Sequence, residues 1–189
     1  MIAAMEPPAI TRYRRPFLAP LWLIPAALLV LAVCGWAIYQ GATTTVVLLV
    51  QPTDKEPGTI EDPPVSPEGE ERAERLARMF AAAAGPGQLD AIYESDERRA
   101  QQTAAPLAER LHQTPVVFSA ADARSAAAQA VREHPGATVL VVVSGARVAE
   151  MVEELTGVTP AALPPGGSDV MYVVSVPRIG HAHLVRIRY

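Results

Sequence analysis

The chain has 189 residues, half of them hydrophobic, and a formal net charge of −4; one globular domain is the expectation at this length. Residues 1–16 carry three arginines against Glu6, a net of +2, while the remainder holds 13 basic and 19 acidic residues, a net of −6. An acidic main body argues against nucleic acid as a partner, which asks for a basic face, and the single cysteine, Cys34, excludes an intramolecular disulfide.

From the N-terminus, the first element is an uncharged stretch of 23 residues, Phe17 to Tyr39. As a helix it would reach roughly 35 Å, enough to cross a bilayer core of about 30 Å. Trp22 near one end and Trp36 and Tyr39 at the other suit the two interfaces. The reading is a signal anchor over 17–39, with a cytoplasmic tail at 1–16, a short linker at 40–42 and a main domain at 43–189. Arg12, Arg14 and Arg15 precede the span, and no basic residue follows until Lys55. The N-terminus is therefore expected in the cytoplasm and the main domain outside the inner membrane, in the periplasm of a diderm bacterium. A cleaved signal peptide ending near Gly35-Trp36-Ala37 and a lipoprotein using Cys34 are the alternatives. The first needs a shorter apolar run; the second is opposed by bulky Val33. Few lysines against many arginines and alanines fit a GC-rich bacterial genome.

Strand and helix signals then alternate. Thr43 to Val50 reads as a buried strand, followed by a loop from Gln51 to Pro64. Ser66-Pro67-Glu68 has the composition of a helix start. Ala73, Leu76, Ala77, Phe80, Ala83 and Ala84 give that helix an apolar stripe. Further elements are a strand over Leu89 to Tyr93, a helix from Arg98 to Leu111, a strand over Val116 to Phe118 and a helix from Ala121 to His134. The strand Thr138 to Val143, the helix Arg147 to Leu155 and two strands at Asp169 to Val176 and His181 to Ile187 close the chain. This order implies an α/β three-layer sandwich with a mostly parallel mixed sheet and an antiparallel hairpin at one edge.

Three segments carry a resemblance. Asp62-Pro63-Pro64-Val65-Ser66-Pro67-Glu68-Gly69 is similar to a "D-x-P-L-S-x-x-G" helix entry. Ser95-Asp96-Glu97-Arg98-Arg99-Ala100-Gln101-Gln102-Thr103-Ala104 is similar to "S-x-x-x-R-x-x-Q-T-A". His134 to Val142 is similar to the strand that leads to a second histidine. In this order they resemble the histidine phosphatase superfamily, the phosphoglycerate-mutase-like fold, over Thr45 to Tyr189. That resemblance implies a phosphohistidine mechanism: a histidine after the first strand attacks phosphorus, two arginines and a second histidine clamp the phosphate oxygens, and a carboxylic acid protonates the leaving group.

Carried over position by position, the roles mostly fail. The first arginine falls on Gln51, the nucleophile on Pro52 and the second histidine on Ser144. The second arginine falls on Arg99, and Asp122 is the candidate acid. His112, His134, His181 and His183 follow no suitable strand, so sliding the register does not restore a nucleophile. Arg99 is a candidate anion ligand, although an arginine at a helix start also fits pairing with acids or water. Ser144-Gly145 has no nucleophile-elbow pattern. His181 and His183 share a strand face without a third ligand, so no metal is expected. Gly166-Gly167 matches no nucleotide fingerprint, and no cofactor is expected. The implied function is a catalytically inactive, membrane-anchored accessory or interaction subunit with membrane-protein partners. The alternatives are a binding module that holds a phosphorylated or anionic ligand through Arg99, and a phosphatase with non-standard chemistry.

Overall fold

The computed structural model describes residues 22–42, 44–54, 62–82, 88–158 and 170–188, with side chains of the first segment described to Tyr39. Two compact units divide at Ile38 and Tyr39. Helix α1 (Leu23–Ala42), which makes up the described part of the first unit to Ile38, is uncharged, and large apolar side chains such as Ile24, Leu28, Leu31 and Val33 are exposed along it. Among the described residues no helix is long and apolar enough to cross a membrane. Part of the expected span, residues 17–21, lies outside them.

The second unit is built on a six-stranded sheet. Its strands are β1 (Thr45–Val50), β2 (Ala91–Ser95), β3 (Val116–Phe118), β4 (Thr138–Val142), β5 (Val170–Val176) and β6 (His183–Arg188), in the order β3-β2-β4-β1-β5-β6. The first four in that order run parallel, and β5 and β6 add antiparallel pairings at the other side. The expected closing hairpin is therefore present as an antiparallel edge.

Period-two alternation sorts the strand residues to two faces. Val47, Leu49, Tyr93, Val139, Val141 and Tyr172 pack with helices α4 (Ala123–Glu133) and α5 (Gly145–Thr156). Leu48, Val50, Ile92, Leu140, Val142 and Met171 pack with α2 (Pro67–Ala81) and α3 (Arg98–Leu111). This is the expected three-layer arrangement. The buried faces of α3 and α4 are largely alanine, which lets the helices approach the sheet closely.

Helix α2 starts as its composition requires. The Ser66 hydroxyl accepts from the Gly69 amide at 3.1 Å, and Pro67 occupies the first turn. Ala73, Leu76 and Ala77 form its buried stripe, while Ala83 and Ala84 lie outside the described residues.

The last strand begins at His183 rather than His181, and the helix expected from Ala121 begins at Ala123 after a 3₁₀ turn; two further boundaries differ for a visible reason. Strand β2 begins at Ala91 rather than Leu89 because Asp90 brackets the start of β4: its amide donates to the Thr138 carbonyl and its carboxylate accepts from the Thr138 amide. The strand then continues through Glu94 and Ser95, which hydrophobicity alone does not mark as strand. Helix α5 begins at Gly145, two residues before Arg147, since the Ser144 carbonyl already accepts from the amides of Arg147 and Val148.

Candidate functional site

In an open α/β sheet, ligands sit outside the carboxyl ends of the parallel strands, near the point where strand order reverses. Three of the four positions singled out from sequence stand directly after adjacent strands at that end. Gln51 and Pro52 follow β1, Ser144 follows β4, and Arg99 is the second residue of α3, just beyond β2.

The fold brings Gln51 and Ser144 together. The ladder extends one residue past the strand ends, with the Val143 amide donating to the Val50 carbonyl at 3.1 Å. The Gln51 side chain then lies over Gly145, next to Ser144. A Cβ built on Gly145 would stand 2.8 Å from Gln51 Oε1 and 3.3 Å from its Nε2. The absence of a side chain at 145 is what gives the Gln51 amide its place.

Pro52 is buried, and Ser144 and Arg99 are half-buried. The Ser144 hydroxyl makes no capping bond to α5. The Arg99 guanidinium is given no acidic partner among the described residues; the ion pairs there use Arg72, Arg78, Arg110, Arg124 and Arg147. Arg147, half-buried, pairs with Glu150 at 2.7 Å within its own helix. Among the described residues, the crevice end thus carries the Gln51 amide, the Ser144 hydroxyl and the Arg99 guanidinium.

All four histidines lie at the opposite end. His112 caps the far end of α3, and His134 caps the far end of α4. The His134 carbonyl accepts from the hydroxyl of Thr45, the first residue of β1. His183 pairs with Ser175, which pairs with Val46 near the start of β1, and His181 precedes it in the chain. None of the chain's four imidazoles therefore stands at the end of the sheet that carries Pro52 and Ser144. Asp122 sits at the crevice end but on the edge: it closes the 3₁₀ turn Ala120–Asp122 after β3, and it is exposed. Two strands separate β3 from β1, which at about 4.8 Å per strand is roughly 14 Å.

Residues not singled out from sequence hold the connector after β1. Thr103, fully buried on α3, accepts from the Thr53 amide at 3.1 Å and donates to the Arg99 carbonyl at 2.7 Å. A hydroxyl has one proton, so the 3.2 Å contact between the two threonine hydroxyls must be donated by Thr53. Gln102 accepts from the Val65 amide at 2.9 Å. Asp62 accepts from the Arg98 amide at the start of α3 through both oxygens, at 3.2 and 3.1 Å. The Asp54 carbonyl accepts from the Ser66 amide at 2.9 Å. Asp62, Gln102 and Thr103 belong to the motif-like segments, and their roles here are structural ties between the connector and α3. The signal that could have found Thr53 was its place one residue beyond Pro52, at the end of a buried strand.

Glu94 was also missed. Its carboxyl is buried in β2 on the same face as Ile92, and burial pushes its pKa up to about 7. The signal was an acidic residue in the buried phase of a strand. At the far end, Tyr93 is pushed up to about 12 by burial and by its bond to Glu133, which is 2.9 Å long. The Tyr93 ring also meets the His134 ring edge-on, with centroids 5.9 Å apart. His181 and His183 join no cluster of metal-ligating side chains among the described residues. Gly166-Gly167 lies outside the described residues.

The sequence model of the histidine phosphatase superfamily (branch 1) matches residues 51–121. Among solved structures, a mycobacterial glucosyl-3-phosphoglycerate phosphatase superposes with a TM-score of 0.63 at 16% identity, over 77% of this chain and 98% of that one. Mycobacterial hydrolase 1 gives 0.60 at 18% identity, over 75% and 96%. A phosphoserine phosphatase from Entamoeba histolytica gives 0.58 at 16% identity, over 77% and 97%. Likeness at these identities establishes the fold. No curated protein matches significantly.

Proposed function

We propose that this domain, which has the histidine phosphatase superfamily fold, is non-catalytic and membrane-anchored, and serves as an interaction or accessory subunit of a membrane protein complex. One observation carries the non-catalytic reading. Pro52 stands where a nucleophile would be needed, and every histidine lies at the other end of the sheet. Phosphoryl transfer through histidine requires an imidazole within bonding reach of phosphorus. Ser144 could replace it only with a base beside it, and no histidine stands there to act as one. The ties from Asp62, Gln102 and Thr103 support a scaffold kept for its surface.

The anchor reading rests on the uncharged stretch Phe17–Tyr39, on the arginines before it, and on the exposed apolar side chains around α1. A helix apolar all round needs lipid or protein to cover it. By the same charge bias, the main domain is extracytoplasmic.

A second reading has its own support. The Arg99 guanidinium, without an acidic partner among the described residues, is suited to a phosphorylated or other anionic ligand. Thermal shift of the full chain against a panel of phosphorylated metabolites tests this. Stabilisation lost in Arg99→Ala supports it, and no stabilisation across the panel removes it. For the main reading, the test is mild solubilisation followed by cross-linking and mass spectrometry. One membrane protein should be recovered in constant ratio. A chain that runs alone under every mild detergent contradicts the accessory role.

A further inference from the structure

A cleft of about 660 Å³ opens along α3 beside β3, lined by Glu94, Gln101, Glu109, His112, Gln113 and Thr114 together with the small residues Ala105 and Ala108. It shares no residue with the crevice-end positions Gln51, Pro52, Arg99 and Ser144. Its size falls in the range of small-molecule sites.

Its polar groups are unbalanced. Glu94 is only 7% exposed and lines the cleft, yet its carboxyl has no hydrogen-bond or ion-pair partner among the described residues. Its sheet neighbours in register are Val117 on β3 and Val142 on β4, which offer no donor. Gln113 donates its amide nitrogen to the Leu89 carbonyl at 2.9 Å, which leaves Oε1 as its free acceptor. That oxygen is buried and unpartnered among the described residues. Glu109 adds a second carboxylate at the rim. A buried acceptor without a donor is costly, and here Gln113 Oε1 belongs to the same lining as the unpaired carboxyl of the largely buried Glu94.

We infer that this cleft is a binding site for a small organic cation, a guanidinium or primary ammonium head on a short aliphatic stem, with Glu94 as its carboxylate receptor. Such a head brings three to five N–H donors to the unpaired Glu94 carboxyl and to Gln113 Oε1. Its charge offsets the cost of ionising Glu94, and the stem lies against Ala105 and Ala108. Burial that lifts the Glu94 pKa to about 7 makes the empty carboxyl partly neutral near neutrality. Cation binding should therefore weaken as pH falls through 7. The other titratable groups facing the cleft are Glu109 and His112.

The test is calorimetric titration of the full chain in detergent with n-butylguanidinium, with neutral n-butylurea as control. At pH 8 the cation should bind saturably and the urea at least tenfold more weakly. Binding should fall about tenfold at pH 6, and should do so in His112→Gln as well. Glu94→Gln should abolish it at pH 8. Ala105→Phe, at an exposed position, should abolish it by filling the cleft with the carboxyl intact. Equal binding of the urea, unchanged affinity in both variants, or no saturation by 10 mM cation (roughly the weak limit for a small ligand) would overturn the inference. Tenfold tighter binding of an arginine-containing hexapeptide would overturn the small-molecule assignment in favour of a protein side chain.

Discussion

Thr103→Val is the most revealing single change to the scaffold. Both hydroxyls of the Thr53–Thr103 pair are in buried side chains, 1% and 0% exposed. Removing the Thr103 hydroxyl strands the Thr53 amide and the Thr53 hydroxyl proton, and takes the donor from the Arg99 carbonyl. At roughly 1–3 kcal/mol per stranded buried group, two donors put the loss at about 2–6 kcal/mol. For a domain of this size each kcal/mol moves Tm by about 2–4 °C, so a fall of about 4–24 °C is expected. Thr103→Ser keeps the hydroxyl and gives up one buried methyl, a loss of about 1 kcal/mol. Thr53→Val should also be mild, because Thr103 then still accepts from the Thr53 amide and still donates to Arg99. The assay is thermal melting of the full chain in detergent followed by far-UV circular dichroism. Tryptophan emission is a poor reporter, since Trp22 and Trp36 both lie in or beside α1. If Thr53→Val cost as much as Thr103→Val, the assigned proton direction would be wrong. If Thr103→Ser cost as much as Thr103→Val, the hydroxyl would not be the tie.

Other substitutions follow from the same contacts. Gly69→Ala should destabilise by about 1–3 kcal/mol in urea unfolding, because its Cβ would meet Val65 Cγ1 at 2.6 Å and the Asp54 carbonyl at 2.7 Å, and that carbonyl is held by Ser66. Gly145→Ala should cost under about 1 kcal/mol, since the atoms in its way belong to the flexible end of Gln51. Ser66→Ala should cost about 1 kcal/mol through loss of the α2 cap, with Ser66→Asp close to wild type. Glu94 gives a pH signature. Its pKa is about 7 in the folded chain and nearer 4.5 when unfolded, so the contribution is full below 4.5 and lost as pH rises through 7. Denaturation midpoints of Glu94→Gln should therefore lack the wild-type decline between pH 4.5 and 7; a parallel decline in both would show another group to be responsible.

Much of the fold was legible because its elements announce themselves locally. The β-branched run before Gln51 and the Ser66-Pro67 start each led to the element found, and the helix expected over 98–111 is α3. The alternation of strand and helix then fixed the layers. What escaped was set by pairing rather than propensity. Glu94 and Ser95 belong to β2 only because β3 and β4 flank them. Thr53 is bonded to a residue fifty positions away. The crevice-end residues Gln51, Pro52 and Ser144 could be named from sequence, but the segregation of the histidines to the far end required the topology. The cleft at Glu94 was invisible for the same reason: it is bounded by α3 and the loop after it, beside a strand that reads as core.

The central claim, that no phosphohistidine chemistry occurs at the end of β1, is met most directly by a turnover assay on the purified full chain. Incubated with a generic phosphomonoester, it should release no phosphate above the no-protein rate, and Arg99→Ala should change nothing. Phosphate release that survives repeated purification and is lost in Arg99→Ala would contradict the account.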